Sequence, residues 1–122
     1  MMTKIQSKVY EDWVWEIRDD TINFYQETEI PDDEDFIHIE DDVYEEPRID
    51  IVTDMNEETT NLYLSDEFVF STTSDYVALT YWTCYDLSFE LAEIIYDHFN
   101  KIARINISSD FYYQPDYEKP VK

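Results

Sequence analysis

Two periodicities run through this chain, and they divide it between helix and strand. From Ser7 to about Glu27 the apolar positions Tyr10, Trp13, Val14, Ile17, Phe24 and Tyr25 recur at helical spacing, with Thr21 filling the gap in the stripe. Ser7 can cap the start, and Glu11, Asp12, Glu16, Asp19, Asp20, Asn23 and Glu27 fall largely away from the stripe. Trp15 and Ile22 sit off it, and a competing reading makes Trp13–Ile17 a strand; the expectation adopted is an N-terminal helix. Ser88–Ala103 reads as a second helix, with Phe89, Leu91, Ala92, Ile95, Tyr96, Phe99 and Ile102 inward and Glu90, Glu93 and Asp97 outward. Ser88 is its cap, and Lys101 and Arg104 complement the dipole at its end.

Alternation replaces helical spacing in between. Phe36, Ile37 and Ile39 make a short edge strand, and Arg48–Thr53, Asn61–Leu64, Phe68–Ser71 and Tyr76–Cys84 read as longer ones. Ser65-Asp66 and Ser74-Asp75 supply tight turns. Tyr76–Cys84 carries bulk on both faces, as a central strand does, and Arg104–Ser108 reads as a last strand. Phe111–Tyr117 is an aromatic tail expected to dock, and Glu118–Lys122 an end expected to fray. The expected fold is therefore α+β, one domain over residues 1–122, with an antiparallel sheet of about four to six strands and the two helices named.

Charge changes this picture more than any motif does. The 122 residues carry 30 acids against 8 Lys plus Arg, a net charge of −22. That balance alone favours disorder, but 43% hydrophobic and 17% aromatic residues supply the buried area a folded domain needs. Glycine is absent, which removes the loops that cradle phosphate and makes a nucleotide-dependent enzyme a poor reading. The single Cys84 excludes an internal disulfide and any CxxC pair. The start MMTKIQSKVYED lacks the apolar run of a signal peptide, and no run of about 18 apolar residues occurs, so a cytoplasmic protein without a membrane span is expected. An acidic surface is repelled by nucleic acid and by anionic lipid alike; its natural partner is a basic surface.

The carboxylates concentrate between Glu27 and Asp50, twelve of them against one cation, Arg48. Asp32-Asp33-Glu34-Asp35 and Glu40-Asp41-Asp42 offer hard oxygen ligands for Ca²⁺ or Mg²⁺, but EF-hand spacing with its glycine is absent. A bland reading is a solvated face that maintains solubility, for which a net charge of about 2–8 suffices. The excess beyond that favours mimicry of a polyanion. Duplex DNA carries about one charge per 1.7 Å, so a charge of −22 matches about eleven base pairs, roughly 37 Å, and a globule of this length is about 35 Å across.

Size, acidity and aromatic content over the whole chain, densest at Asp32–Asp35, Glu40–Asp42 and Glu45-Glu46, resemble the small DNA-mimic inhibitors of phages and mobile elements, of anti-CRISPR or anti-restriction type. The resemblance implies an inhibitor, not an enzyme, acting in the host cytoplasm without a cofactor. Its partner would be a basic nucleic-acid-binding protein or nuclease complex. The expected partner-binding residues are Asp19, Asp20, Asp32, Asp33, Glu34, Asp35, Phe36, Glu40, Asp41, Asp42, Tyr44, Glu45 and Glu46.

Alternatives are an immunity protein neutralising a basic toxin and, further off, a divalent-metal module. His38 and His98 lack a partner at zinc spacing, and neither forms a nucleophile-elbow pattern with Ser71, Ser74 or Cys84. His98 is expected to pack within the fold, and His38 to pair with neighbouring carboxylates. Tyr112, Tyr113 and Tyr117 could stack on bases, but core docking suits an acidic chain better.

Overall fold

The computed structural model describes residues 2–39, 46–54, 56–74 and 77–107, the last span from its backbone alone at 77 and 78. Among the described residues the protein is mostly β, with one α-helix and two four-stranded sheets, which overturns the expected α+β arrangement. The first sheet has the order β1-β2-β3-β4, from Met2–Gln6, Trp13–Arg18, Thr21–Gln26 and Ile37–His38, all antiparallel. The second has the order β7-β6-β5-β8, from Glu67–Thr73, Thr59–Leu64, Arg48–Asp54 and Arg104–Ile107. Its β8 runs parallel to β5, so this sheet is mixed rather than a meander. The helix α1, Val77–Phe99, makes the crossover between β7 and β8.

No N-terminal helix forms. In its place Trp13–Arg18 and Thr21–Gln26 pair as a hairpin, with Trp15 opposite Phe24 and Ile17 opposite Ile22. The reason is legible in burial. Trp15 and Ile22, the two residues that a helical stripe leaves out, are each only 1% exposed. A strand puts Trp13, Trp15 and Ile17 on one face with Phe24, where the Trp15 and Phe24 rings stack with centroids 4.0 Å apart. Val14, Glu16 and Tyr25 go to the other face and are buried as well. Ser7 caps no helix; its hydroxyl accepts from the N–H groups of Val9 and Tyr10 in the bend before β2.

Turns without glycine use other residues in the left-handed region. Asp19 (φ 51°) opens the β2–β3 turn, and Ser65 and Asp66 (φ 48° and 71°) form the two-residue β6–β7 turn, both in the geometry that matches strand twist. Asn100 (φ 55°) ends α1, its N–H donating to the Tyr96 carbonyl.

The helix also departs from expectation at both ends: it begins at Val77, inside the stretch read as a strand, and stops at Phe99, before Ala103. Tyr81, Cys84, Ser88, Leu91 and Ile95 are its buried stripe, joined by Leu87 and Ile94. Phe89, Tyr96 and Ile102, expected inside, are 51%, 57% and 72% exposed. Ser88 is buried mid-helix, its hydroxyl donating to the Tyr85 carbonyl instead of capping. This stripe packs on β5, β6 and β7 over Ile49, Ile51, Leu62, Leu64 and Phe70, and a continuous cluster joins these to Trp15, Ile17, Ile22, Phe24, Ile37 and Ile39 of the first sheet. Both sheets and the helix thus share one core.

Glu90 pins the corner where they meet. Its Oε1 accepts from Ser7 Oγ and Trp15 Nε1, each at 2.6 Å, and its Oε2 from the Lys8 N–H at 2.8 Å. Periodicity had placed Glu90 outward; a long side chain on the flank of the stripe reaches back to the β1–β2 bend instead.

Candidate partner-binding face

The acidic segment after β3 is held in place by a buried carboxylate. Glu16 on β2 is 1% exposed and accepts from Tyr25 Oη at 2.5 Å and from Arg18 Nε, with Lys4 Nζ 4.0 Å away. Arg18 turns its Nη1 outward to Asp33 Oδ1 at 2.6 Å and lays its guanidinium over the Phe36 ring, 4.2 Å from the centroid. Asp32 caps the 3₁₀ turn Asp33–Asp35, its Oδ1 accepting from the Glu34 N–H at 3.0 Å. A chain Glu16–Arg18–Asp33 therefore fastens the turn to the sheet and leaves Asp32, Glu34 and Asp35 facing solvent. Hydrogen bonding to Glu16 heads the causes that raise the Arg18 pKa. Burial, then the bond to Glu16, pushes the Tyr25 hydroxyl up to about 12.

Arg48 is neutralised in the same way. Its Nε donates to Asp50 at 2.8 Å and its Nη2 to Asp66, and the bond to Asp50 is the main reason its pKa is raised. Both arginines at this end of the molecule are thus satisfied within the fold.

Two of the depressions beside these anchors are lined by the acidic segment or its flanks. The first, about 620 Å³, has Trp13, Phe24 and Phe70 as its aromatic floor, Glu29 to Asp32 and Glu34 to Ile37 as one wall, and Glu67 to Ser71 of β7 as the other. The second, about 660 Å³ and more polar, is lined by His38, Ile39, Glu46, Pro47, Arg48, Ser65, Asp66 and Glu67. Glu67 belongs to both, so the two are neighbours.

Among the residues expected to bind a partner, Asp32, Glu34, Asp35 and Phe36 line the first depression and Glu46 the second. Asp33 is spent on Arg18. Asp19 and Asp20 are exposed at the tip of the β2–β3 hairpin, beside Ile39, whose N–H donates to the Asp20 carbonyl at 2.7 Å; they line neither depression. Glu40, Asp41, Asp42, Tyr44 and Glu45 lie outside the described residues, as do Tyr76 and the aromatic tail Phe111–Tyr117. Asp66, Glu67 and Phe68 were not anticipated. Their signal was the acidic turn Ser65-Asp66-Glu67 followed by an aromatic residue, which the β6–β7 hairpin carries to the acidic segment.

Other candidates resolve differently. Cys84 is buried, donates to the Thr60 carbonyl at 3.6 Å, and has its thiol pushed up to about 12 by burial, which suits a core residue and not a nucleophile. His98 is exposed on the last turn of α1 instead of packed. Among the described residues no 3 His, Cys, Asp or Glu side chains converge as a metal site. Among the same residues no helix is long and apolar enough to cross a membrane.

Comparison with family models, curated proteins and solved structures found no match. The face must be read on its own chemistry. It presents exposed carboxylates from three separate elements over a partly aromatic surface, and such a surface attracts cationic groups over distance and offers them apolar contact once they arrive.

Proposed function

We propose that this protein is a cytoplasmic inhibitor that occupies a basic nucleic-acid-binding site of a host defence nuclease or surveillance complex, in the manner of a DNA mimic. One observation carries the reading: at the acidic face Arg18 and Arg48 are already engaged by Glu16, Asp33, Asp50 and Asp66, so among the described residues the carboxylates of Glu29, Asp32, Glu34, Asp35, Glu46 and Glu67 hold no cation of the fold and can meet an outside one. A net charge of −22 opposes compaction of the chain, so retaining it favours a use for it. Binding would displace nucleic acid from a cationic channel by supplying carboxylates where phosphates sit.

The test is capture of partners from host lysates on the immobilised protein, followed by elution with duplex DNA at fixed salt. A nucleic-acid-processing complex released by DNA supports the proposal. Retention of a single basic protein that DNA cannot release, at any salt, refutes mimicry and supports an immunity function. A variant with Asp32→Asn, Glu34→Gln, Asp35→Asn and Glu67→Gln keeps the Arg18–Asp33 anchor and the capping geometry. It should associate about tenfold more slowly at low salt, because steering charges act chiefly on the on-rate. Unchanged association by the folded variant sinks the assignment of this face.

A further inference from the structure

The first depression has unlike walls, and the difference points to how a partner is held. One wall is the acidic segment; the other is Glu67–Ser71 of β7, a terminal strand of its sheet among the described residues. A terminal strand presents main-chain N–H and C=O groups that lack a strand partner on one side. Natural edges are commonly blunted by Lys, by Pro or by a covering element. β7, EFVFSTT, has neither residue, and its bulge, which also blunts an edge, is confined to Val69. The register passes from Leu62 opposite Phe70 to Tyr63 opposite Phe68, so Val69 is the extra residue, and Phe70–Thr73 stay in regular pairing with Thr59–Leu62.

We propose that this groove takes an extended segment of a cationic protein, which adds to β7 as a further strand. The inference rests on the reading above that the acidic face meets a basic partner. Strand addition draws affinity from main-chain hydrogen bonds and selectivity from alternate side chains. Here the alternation is matched by the walls. Glu29, Asp32, Glu34, Asp35 and Glu67 border the groove with no Lys or Arg among its described lining residues, so one set of partner side chains must be basic. The other set meets the aromatic floor and Phe68, which is 58% exposed at the margin. The wall Glu67–Ser71 is about 17 Å long in extended form, room for a segment of about five residues. A second copy of this chain would bring its own charge of −22 against the same carboxylates, which leaves the edge to a partner of opposite sign.

The test uses the full-length, isotopically labelled protein and a synthetic heptapeptide of alternating arginine and valine, compared with the same peptide N-methylated at alternate amides. Methylation keeps the charge and removes the main-chain donors. Binding of the parent peptide about tenfold tighter than the methylated one, with amide shifts and hydrogen-exchange protection along Glu67–Ser71, is the expected result. The exposed double variant Glu34→Lys, Glu67→Lys should lose that binding while keeping its fold. Equal affinity for both peptides overturns strand addition and leaves the basic-partner reading standing. Failure of both to bind at low salt overturns the two together. A concentration-dependent dimer with its shifts on β7 would assign the edge to a second copy and also overturn the proposal.

Discussion

Removing the Glu90 carboxylate should loosen the whole molecule although it lines neither depression. Three donors converge on it: Ser7 Oγ and Trp15 Nε1 at 2.6 Å and the Lys8 N–H at 2.8 Å. In Glu90→Ala the consequences differ by burial. Trp15 is 1% exposed, and its indole N–H can only donate, so losing its partner costs about 1–3 kcal/mol. Ser7 is 5% exposed and already accepts from two N–H groups, so its hydroxyl proton contributes about 1 kcal/mol more. The Lys8 N–H lies at an exposed position where water can replace the carboxylate, and adds at most about 1 kcal/mol. The total is about 2–5 kcal/mol, a large part of the 5–15 kcal/mol typical of a domain, and roughly 10–20 °C in Tm. Urea denaturation of wild type, Glu90→Ala, Trp15→Phe and the double variant measures this directly. Because Trp15→Phe deletes the same N–H, the cycle should return a coupling of about 1 kcal/mol or more. A loss below about 0.5 kcal/mol in Glu90→Ala, or no coupling, would refute the view that this carboxylate ties the helix to the first sheet.

Alkaline pH should destabilise the fold through Tyr25. Its hydroxyl rises from 10.0 to about 12, so the folded state keeps a proton that the unfolded chain releases; the stabilisation is complete below pH 10 and lost as pH rises toward 12, roughly 2–3 kcal/mol in all. Denaturation series at pH 8, 10 and 11 on wild type and Tyr25→Phe check it, and parallel curves would count against it. Cys84, raised to about 12 by burial, should resist a thiol reagent at pH 8 in the native protein and react fully once unfolded; native labelling at the unfolded rate would contradict its place in the core. Glu58 is exposed in the left-handed region at φ 56°, so Glu58→Gly should stabilise by about 0.5 kcal/mol, read as a higher urea midpoint; a lower midpoint would show that the carboxylate does more than occupy a turn.

Strands β5 and β6 of the second sheet were legible because they alternate cleanly, with a turn after β6. Ile49 and Ile51, then Leu62 and Leu64, point to one side and their neighbours to the other, and Ser65-Asp66 marks the reversal. The first sheet was not, because β2 is covered on both faces. With Val14, Trp15, Glu16 and Ile17 all buried, no polar alternation remains, and residues from opposite faces can be summed into an apparent helical stripe. The start of α1 failed for a related reason. Tyr81, Trp82 and Thr83 favour strands by propensity, and packing of Tyr81 and Cys84 on the sheet decides against that preference. At the candidate face, charge identified Asp32, Glu34 and Asp35. It could not separate the spent Asp33 from its neighbours, nor bring in Glu67 from a distant hairpin, because both facts depend on tertiary contact.

The glycine-free turns have a consequence for how this sequence can change. Among the described residues, four of the six in the left-handed region, Asp12, Asp19, Glu58 and Asp66, are acids. Asp66 also holds Arg48, but at Asp12, Asp19 and Glu58 glycine would relieve backbone strain and remove a negative charge. Selection for heat resistance and selection for capture of a basic partner would therefore pull the same three codons in opposite directions. A library evolved for thermal survival alone should accumulate glycine at these turns and drift toward neutrality, while one evolved under competition for a cationic target should hold its acids and accept the strain.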